Sequence, residues 1–341
     1  MMRISEMKSI TGMIIPAWHP DSMPALEIEQ IMTPGLADGT LFAKPRNVLL
    51  VADGSPATVR AARNIHARLG GFDILALKRN VGKGGAVAAG IRRLLANSAI
   101  RFIVVRDHDN DHLVNDAPNL VRLADHIVRS EGHDRVVTLG RRSSIHRSLG
   151  FIRGEFETMM NDVIMDAAFF ALARSGQTLN TRYVAAYDRV PDMQSGFKCY
   201  TRATAKLLIR ALDDIGRVTP ELDLPRHGAE VPPLVETLLA GGIVGEIGRL
   251  AQERPPMTTY DRAGRFQVKG TVLTWTLQRT GVPLPTARQI FQNAIVRRVM
   301  AKDRRGLADL LRLVNDVLIK LSKYRGEKAD LIRQMHFADY F

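Results

Sequence analysis

The sequence predicts an α/β fold: a doubly wound, mainly parallel sheet followed by a helical C-terminal extension. Short apolar runs recur through the first half of the chain, and each is followed by turn residues and then an amphipathic run. From about Pro255 this alternation gives way to arginine-rich helical sequence with prolines at Pro283 and Pro285. Alternating strands and helices build parallel sheets whose ligands bind at the carboxyl ends of the strands. The boundary therefore falls near residue 255, with residues 1–254 forming the sheet domain and residues 255–341 a basic, mainly helical extension.

Thr11–Ala17 (TGMIIPA) is the first expected strand, and residues 19–45, crowded with prolines and glycines, read as a long connection. Residues 47–52 (NVLLVA) form the second strand. Its helix, 57–69, starts well, because Ser55 can cap it and Pro56 suits a first turn. Residues 72–78 (FDILALK) form the third strand, and 83–97 an alanine-rich helix entered through glycines. Residues 101–106 (RFIVVR) form a fourth strand that runs into an acidic cluster, followed by a helix over 116–129 and a strand over 135–139. After Gly140 the pattern loosens into a Met-, Phe- and Ala-rich helix (153–174), a loop continuing as a helix (192–212), a helix (231–240) and a short strand (243–247).

The chain has 341 residues and a formal charge of +13, with 45% hydrophobic and 24% charged residues, which excludes a largely disordered chain. A single cysteine, Cys199, excludes an intramolecular disulfide framework and a cysteine-rich zinc site, and fits a reducing compartment. No run of roughly 18 to 20 apolar residues is present to span a bilayer, and the first twenty residues lack a signal-type apolar core. A cytoplasmic protein, working at most against the inner face of a membrane, is the expectation. Much of the basic excess falls late, at Arg288, Arg297, Arg298, Lys302, Arg304 and Arg305. Such a cluster suits phosphates of a small substrate, an anionic membrane surface, or solvent alone.

Three loops fall at the ends of neighbouring expected strands. Asp53-Gly54-Ser55 offers a carboxylate to a base or ribose, although Asp-Gly is also a common turn pair. Arg79-Asn80-Val81-Gly82-Lys83-Gly84-Gly85 opens a helix with glycines and a lysine, which favours a phosphate; the same glycines also serve tight packing of helix on sheet. It fits neither the dinucleotide fingerprint nor the Walker pattern. Asp107-His108-Asp109-Asn110-Asp111-His112 is the most informative, because three alternating carboxylates repel one another unless a cation relieves them. In an extended segment Asp107, Asp109 and Asp111 share one side and can converge on Mg²⁺ or Mn²⁺, the ions hard oxygen ligands favour.

In this order the motifs resemble those of the GT-A glycosyltransferases of family 2 and their relatives, which transfer sugar from a nucleoside diphosphate. The likeness runs from about Met13 to Ile247. Asp192-Met193-Gln194-Ser195-Gly196-Phe197-Lys198 resembles a block of polyprenyl-phosphate sugar transferases. Gly228-Ala229-Glu230 with Leu234-Val235-Glu236-Thr237 is similar to the acceptor region of glucosyl-3-phosphoglycerate synthases. The resemblance implies a UDP- or GDP-sugar donor and a small-molecule or polyprenyl-phosphate acceptor. Pro16 and Ala17 would lie beside the nucleobase and Asp53 would hydrogen-bond to it. Lys83 would approach the base or diphosphate, Asp107 the ribose or metal, Asp109 the metal, and Asp111 would supply a further ligand. Arg141, with Arg142, would meet diphosphate or acceptor phosphate, and a last metal ligand is expected near Gln252-Glu253 or at His227.

If the acceptor is an alcohol, a carboxylate can serve as base. Asp192 is the first candidate and Glu230 the second, while the plainer role for Asp192 is to cap the next helix. Two features depart from the family pattern: Val51-Ala52-Asp53-Gly54-Ser55 lacks one carboxylate, and Trp18-His19-Pro20-Asp21 replaces the usual Asn-Glu. A sugar nucleotidyltransferase would need a glycine-rich basic loop after the first strand, where Ile15-Pro16-Ala17-Trp18-His19 stands. A nucleic-acid-binding protein would account for the charge but not for acids at a strand end, so no nucleic-acid partner is expected. A homodimer and a peripheral membrane contact are roles open to the helical extension.

Overall fold

The computed structural model describes residues 2–146, 150–184, 190–219, 223–226, 228–250 and 265–335. The chain divides into two compact units: Met1–Ser143, Asn180–Asp213 and Pro225–Arg254 form the first, and Ser144–Leu179, Asp214–Leu224 and Pro255–Phe341 the second. The chain thus enters the second unit three times, the last time at residue 255.

Among the described residues the first unit holds seven strands: β1 (Thr11–Ala17), β2 (Val48–Ala52), β3 (Asp73–Ala76), β4 (Phe102–Val105), β5 (Val136–Arg141), β6 (Lys198–Thr201) and β7 (Ile243–Gly248). They form one sheet in the order β3-β2-β1-β4-β6-β5-β7, in which β6 alone runs antiparallel to its neighbours. The helix α1 (Ile4–Ile10) precedes β1, and α2 (Ala25–Ala37), α3 (Pro56–Leu69), α4 (Gly82–Leu95) and α5 (Ala117–Glu131) fill the four gaps between the first five strands. Every residue of β1, β2 and β4 is buried, which is why these strands read as unbroken apolar runs rather than alternating ones. Ser55 accepts the Thr58 amide at 3.1 Å and Pro56 opens α3, as their positions in the sequence predict.

Register places the site. Ala17 of β1 lies beside Ala52 of β2, Ile14 beside Val105 of β4, and Val105 opposite Lys198 at the start of β6. The loops after β1, β2 and β4 and the loop before β6 therefore share one edge of the sheet. The strand order reverses direction between β1 and β4, which opens a crevice at the edge where doubly wound sheets bind ligands.

Besides α1, which lies where no element is expected, two elements differ from the sequence reading. The connection over 19–45 contains α2, whose Ile28, Met32 and Leu36 recur every fourth residue and are all buried. Pro34 and Gly35 mask this helix, since proline removes an amide and costs about 3 kcal/mol inside one. The buried Glu29 offsets part of that cost by accepting from Asn64 at 2.8 Å and Arg68 at 3.0 Å, both on α3. The second difference is β6, four residues between a loop and a helix, expected as loop and helix alone. Its Lys-Cys-Tyr-Thr sequence is too short to show a period.

In the second unit the helices α6 (Phe151–Arg174), α9 (Arg265–Arg279), α10 (Leu284–Val296) and α11 (Arg304–Arg325) pack around Trp275, Phe291 and Leu313, all buried. Two further helices, α7 (Arg202–Val218) and α8 (Pro232–Leu239), complete the described chain. No helix among the described residues is long and apolar enough to cross a membrane.

Candidate active site

Asp53 follows β2 and is nearly fully buried, with both carboxylate oxygens accepting backbone amides, Val81 at 2.8 Å and Gly82 at 2.9 Å. It thereby ties the first loop to the N-terminus of α4. Burial raises its pKa, against the lowering effect of those two amides. Gly54 has a φ of +69°, and a Cβ there would stand 2.1 Å from the Arg79 carbonyl carbon, so the two loops touch only because residue 54 is glycine. The Gly84 amide donates to the Pro225 carbonyl at 2.9 Å, which places Pro225 beside the start of α4.

Lys83, the second residue of α4, projects into the crevice. Its Nζ lies 2.8 Å from Asp107 Oδ1, 3.1 Å from Asp107 Oδ2 and 3.3 Å from Glu230 Oε1. Burial alone would lower the lysine pKa, but the two carboxylates more than reverse this and hold it protonated. Asp107 is the converse: burial pushes its pKa up, while Lys83 pulls it well below the usual carboxylate range. Gly196 permits the pairing, since a Cβ there would come 2.9 Å from Lys83 Nζ and 3.4 Å from Asp107 Oδ2.

The acidic run is a turn, not an extended segment. Asn110 has a φ of +64°, and the Asp109 carboxylate accepts the Asp111 amide at 3.2 Å. The alternation that would place Asp107, Asp109 and Asp111 on one side is therefore broken. Asp107 pairs with Lys83, Asp109 is exposed, and Asp111 Oδ2 lies 3.9 Å from Arg249 Nη1. Among the described residues no group of three or more His, Cys, Asp or Glu side chains is placed to hold a metal ion. Gln252, Glu253 and His227 lie outside the described residues.

The turn is shaped from beneath by Arg106, whose side chain is fully buried. Its guanidinium donates to the carbonyls of His112 (2.8 Å) and Gly35 (3.0 Å) and to Asp38 (2.6 Å) and Asn110 (2.8 Å). His112 is stacked on Phe197 and accepts the Asp107 amide at Nδ1, 2.9 Å away. Burial and then the cations Arg249, Lys83 and Arg106 depress its pKa against the opposing pull of Asp107, so it is a neutral ring. At the end of β1, the Pro16 carbonyl accepts from His108 Nδ1 at 3.0 Å and the Ala17 carbonyl accepts the Asp53 amide at 3.0 Å.

A buried charge network lies behind β5 and β7. Asp192 is fully enclosed and receives Arg142 through Nε at 2.7 Å and Nη2 at 2.6 Å, and these contacts outweigh burial to lower its pKa. Glu246 accepts the Asp192 amide at 2.7 Å and Arg141 Nη1 at 3.2 Å. Arg249 follows β7 and donates to the Gly140 carbonyl at 2.9 Å and to Ser195 Oγ at 2.6 Å. The network therefore joins Arg141 and Asp192, singled out from the sequence, to Glu246, which carries no motif. Arg106 and Arg249 also went unmarked. The one trace of each in the sequence is a basic residue directly after a strand, a place where a lone arginine is ordinarily solvated.

Lys198 opens β6 opposite Val105, fully buried, and its amine donates to the carbonyls of Met193 and Ser195. Burial depresses its pKa to about 7, against the raising effect of Glu230 and Asp192. With Lys83, Glu230, Tyr200, Val105 and Leu208 it lines a cavity of about 20 Å³, room for one water and not for a sugar.

Residues 39–174 match the model of the family described as Glycosyl transferase family 2. Over those residues, about two fifths of its length, the chain is similar to the family 2 glycosyltransferases. By structure it is similar to S. aureus TarS, at 13% identity over 92% of this chain and 49% of that chain, with a TM-score of 0.43. It is similar also to TarS 1-349 (13% identity, 97% of each chain, TM-score 0.41) and to TarS 1-349 in complex with UDP (12% identity, 97% of each, TM-score 0.42). The chain spans about half the length of the first of these structures. No curated protein sequence matches it.

Replacing Arg106 by Met strips four hydrogen bonds, two from the acidic turn and two from the end of α2, and should cost about 3 kcal/mol in urea unfolding. Lys198 predicts a pH dependence. Its amine is protonated in the unfolded chain below 10.5 and deprotonated in the folded chain above about 7. In that window the unfolded state binds more protons, so stability contributed at this position rises with pH and is lost as pH falls toward 7. The difference in unfolding free energy between wild type and Lys198→Met should change across this window; a constant difference contradicts the assignment.

Proposed function

We propose that the chain transfers a sugar from a UDP- or GDP-linked donor to a small-molecule or polyprenyl-phosphate acceptor. The observation that carries this reading is Lys83, an amine fixed between Asp107 and Glu230 at the crevice between β1 and β4. A cation pre-placed there opposes the charge that develops on a leaving diphosphate, and such preorganised electrostatics can supply the largest part of catalysis. In this reading Pro16 and Ala17, which end β1, meet the nucleobase, and Asp53 holds the turn that faces it. Arg141, paired with Glu246 and a quarter exposed, is the residue we assign to an acceptor or donor phosphate.

The carboxylates of the acidic turn suit Mn²⁺ or Mg²⁺ by their hard oxygens, and Asp109 and Asp111, which do not pair with Lys83, are the residues we assign to hold it, with Asp107 at the ribose. A bound divalent cation would neutralise diphosphate charge. Of the two carboxylates read as bases, Glu230 suits the role better. Its side chain is 22% exposed at the crevice, whereas Asp192 is enclosed and held by Arg142. Glu230 would take the proton of an acceptor hydroxyl; a phosphate acceptor would need no base.

A saturating UDP- or GDP-sugar with Mn²⁺ should raise the melting temperature, since a ligand at 100 times its Kd stabilises the native state by about 2.7 kcal/mol. Asp109→Ala should abolish metal-dependent turnover while leaving the ligand-free melting temperature unchanged. Glu230→Gln should lower kcat by about 10² or more with a hydroxyl acceptor, and leave the donor-induced shift in place. Undiminished turnover by Asp109→Ala would remove the role given to the acidic turn.

A further inference from the structure

The exposed apolar side chains of the helical unit are not scattered. Of the six large ones that its described residues expose, four are Phe151 and Ile152 in the first turn of α6, and Val296 and Val299 beyond α10. Their exposures run from 47% to 58%, so each shows about half its surface to water. The Met300 amide donates to Glu155 at 3.0 Å, and Arg298 donates to Asp162 at 3.1 Å. The 296–300 segment is thereby laid along the N-terminal half of α6, at the end that carries Phe151 and Ile152.

The same segment carries exposed Arg297, Lys302, Arg304 and Arg305. Lys302, Arg304 and Arg305 make no ion pair among the described residues, and the nearby acids are otherwise engaged. Asp303 caps α11 by accepting the Gly306 amide at 2.9 Å, and Asp166 faces Arg297. Bases at the start of a helix oppose its macrodipole, where acids would stabilise it. Arg304 and Arg305 open α11 all the same, so helix stability does not account for them. Apolar side chains ringed by unpaired bases match a surface that is anionic outside and apolar just beneath.

We propose that this end of the helical unit, Phe151, Ile152 and the 296–305 segment, docks onto an anionic lipid bilayer. The valines and the α6 residues would enter the headgroup–acyl boundary while Lys302, Arg304 and Arg305 contact lipid phosphates. None of these residues takes part in the donor site, so the inference stands or falls apart from the transfer reaction.

The test is co-sedimentation of the full chain with phosphatidylcholine vesicles, with and without phosphatidylglycerol. Binding is expected to the anionic vesicles alone and should weaken as salt rises. Arg304→Ala with Arg305→Ala should reduce it about 25-fold, at about a fivefold loss for each base removed. Val299→Ser with Ile152→Ser should reduce it further at unchanged charge. All these positions are exposed, and an unchanged melting temperature confirms that the variants fold. Equal binding to neutral vesicles, no binding to either, or full binding by the double arginine variant overturns the proposal. So does a double arginine variant that loses binding to random DNA while keeping it to vesicles, which would assign the surface to nucleic acid.

Discussion

The crevice is organised by one lysine. Lys83 stands at the second position of a helix whose entry is held by Asp53, and its ammonium sits between Asp107 from the end of β4 and Glu230 from the segment before α8. Each partner comes from a different loop, so the contact is a three-way closure of the sheet edge. Half-buried charges are costly when unpaired, and the pair makes each group more firmly ionised than it would be alone. The glycines at 54, 84 and 196 follow from this closure. At each, a Cβ would stand within 3 Å of an atom of the facing segment.

Behind this contact the protein invests in buried arginines. Arg106 supports the acidic turn, Arg142 holds Asp192, and Arg249 ties the end of β5 to Ser195. A planar guanidinium with five donors can satisfy several carbonyls at once, which a lysine in the same place could not. Buried ion pairs of this kind are weak sources of net stability, but breaking one partner is strongly destabilising. The arrangement gives a frame of buried guanidiniums with the exposed Asp109 left on top.

Much of the fold was legible because buried parallel strands announce themselves. TGMIIPA, VLLVA and FIVV are continuous apolar runs, and the helix after VLLVA carries Ser55 and Pro56 at its start as expected. The antiparallel β6 was not legible, since four residues with a lysine at one end show no period, and α2 was hidden by Pro34. The glycine–lysine loop and the acid-rich run lie at one edge of the sheet, where the sequence puts them. The geometry of the acids did not follow, because extended alternation presumes no residue in the left-handed region, and Asn110 adopts it. Arg106 and Arg249 were invisible for a different reason: burial of a charge depends on partners distant in sequence, Asp38 and Ser195, that no local pattern encodes.

The dependence of the donor site on the lysine bridge is open to one direct measurement. Calorimetric binding of UDP and GDP to wild type, Lys83→Met, Asp107→Asn and the double variant forms a thermodynamic cycle. If Lys83 and Asp107 act as one unit in presenting the crevice to a diphosphate, the two losses are non-additive by at least about 1 kcal/mol. Additive losses, or nucleotide binding that none of the substitutions disturbs, would contradict the account.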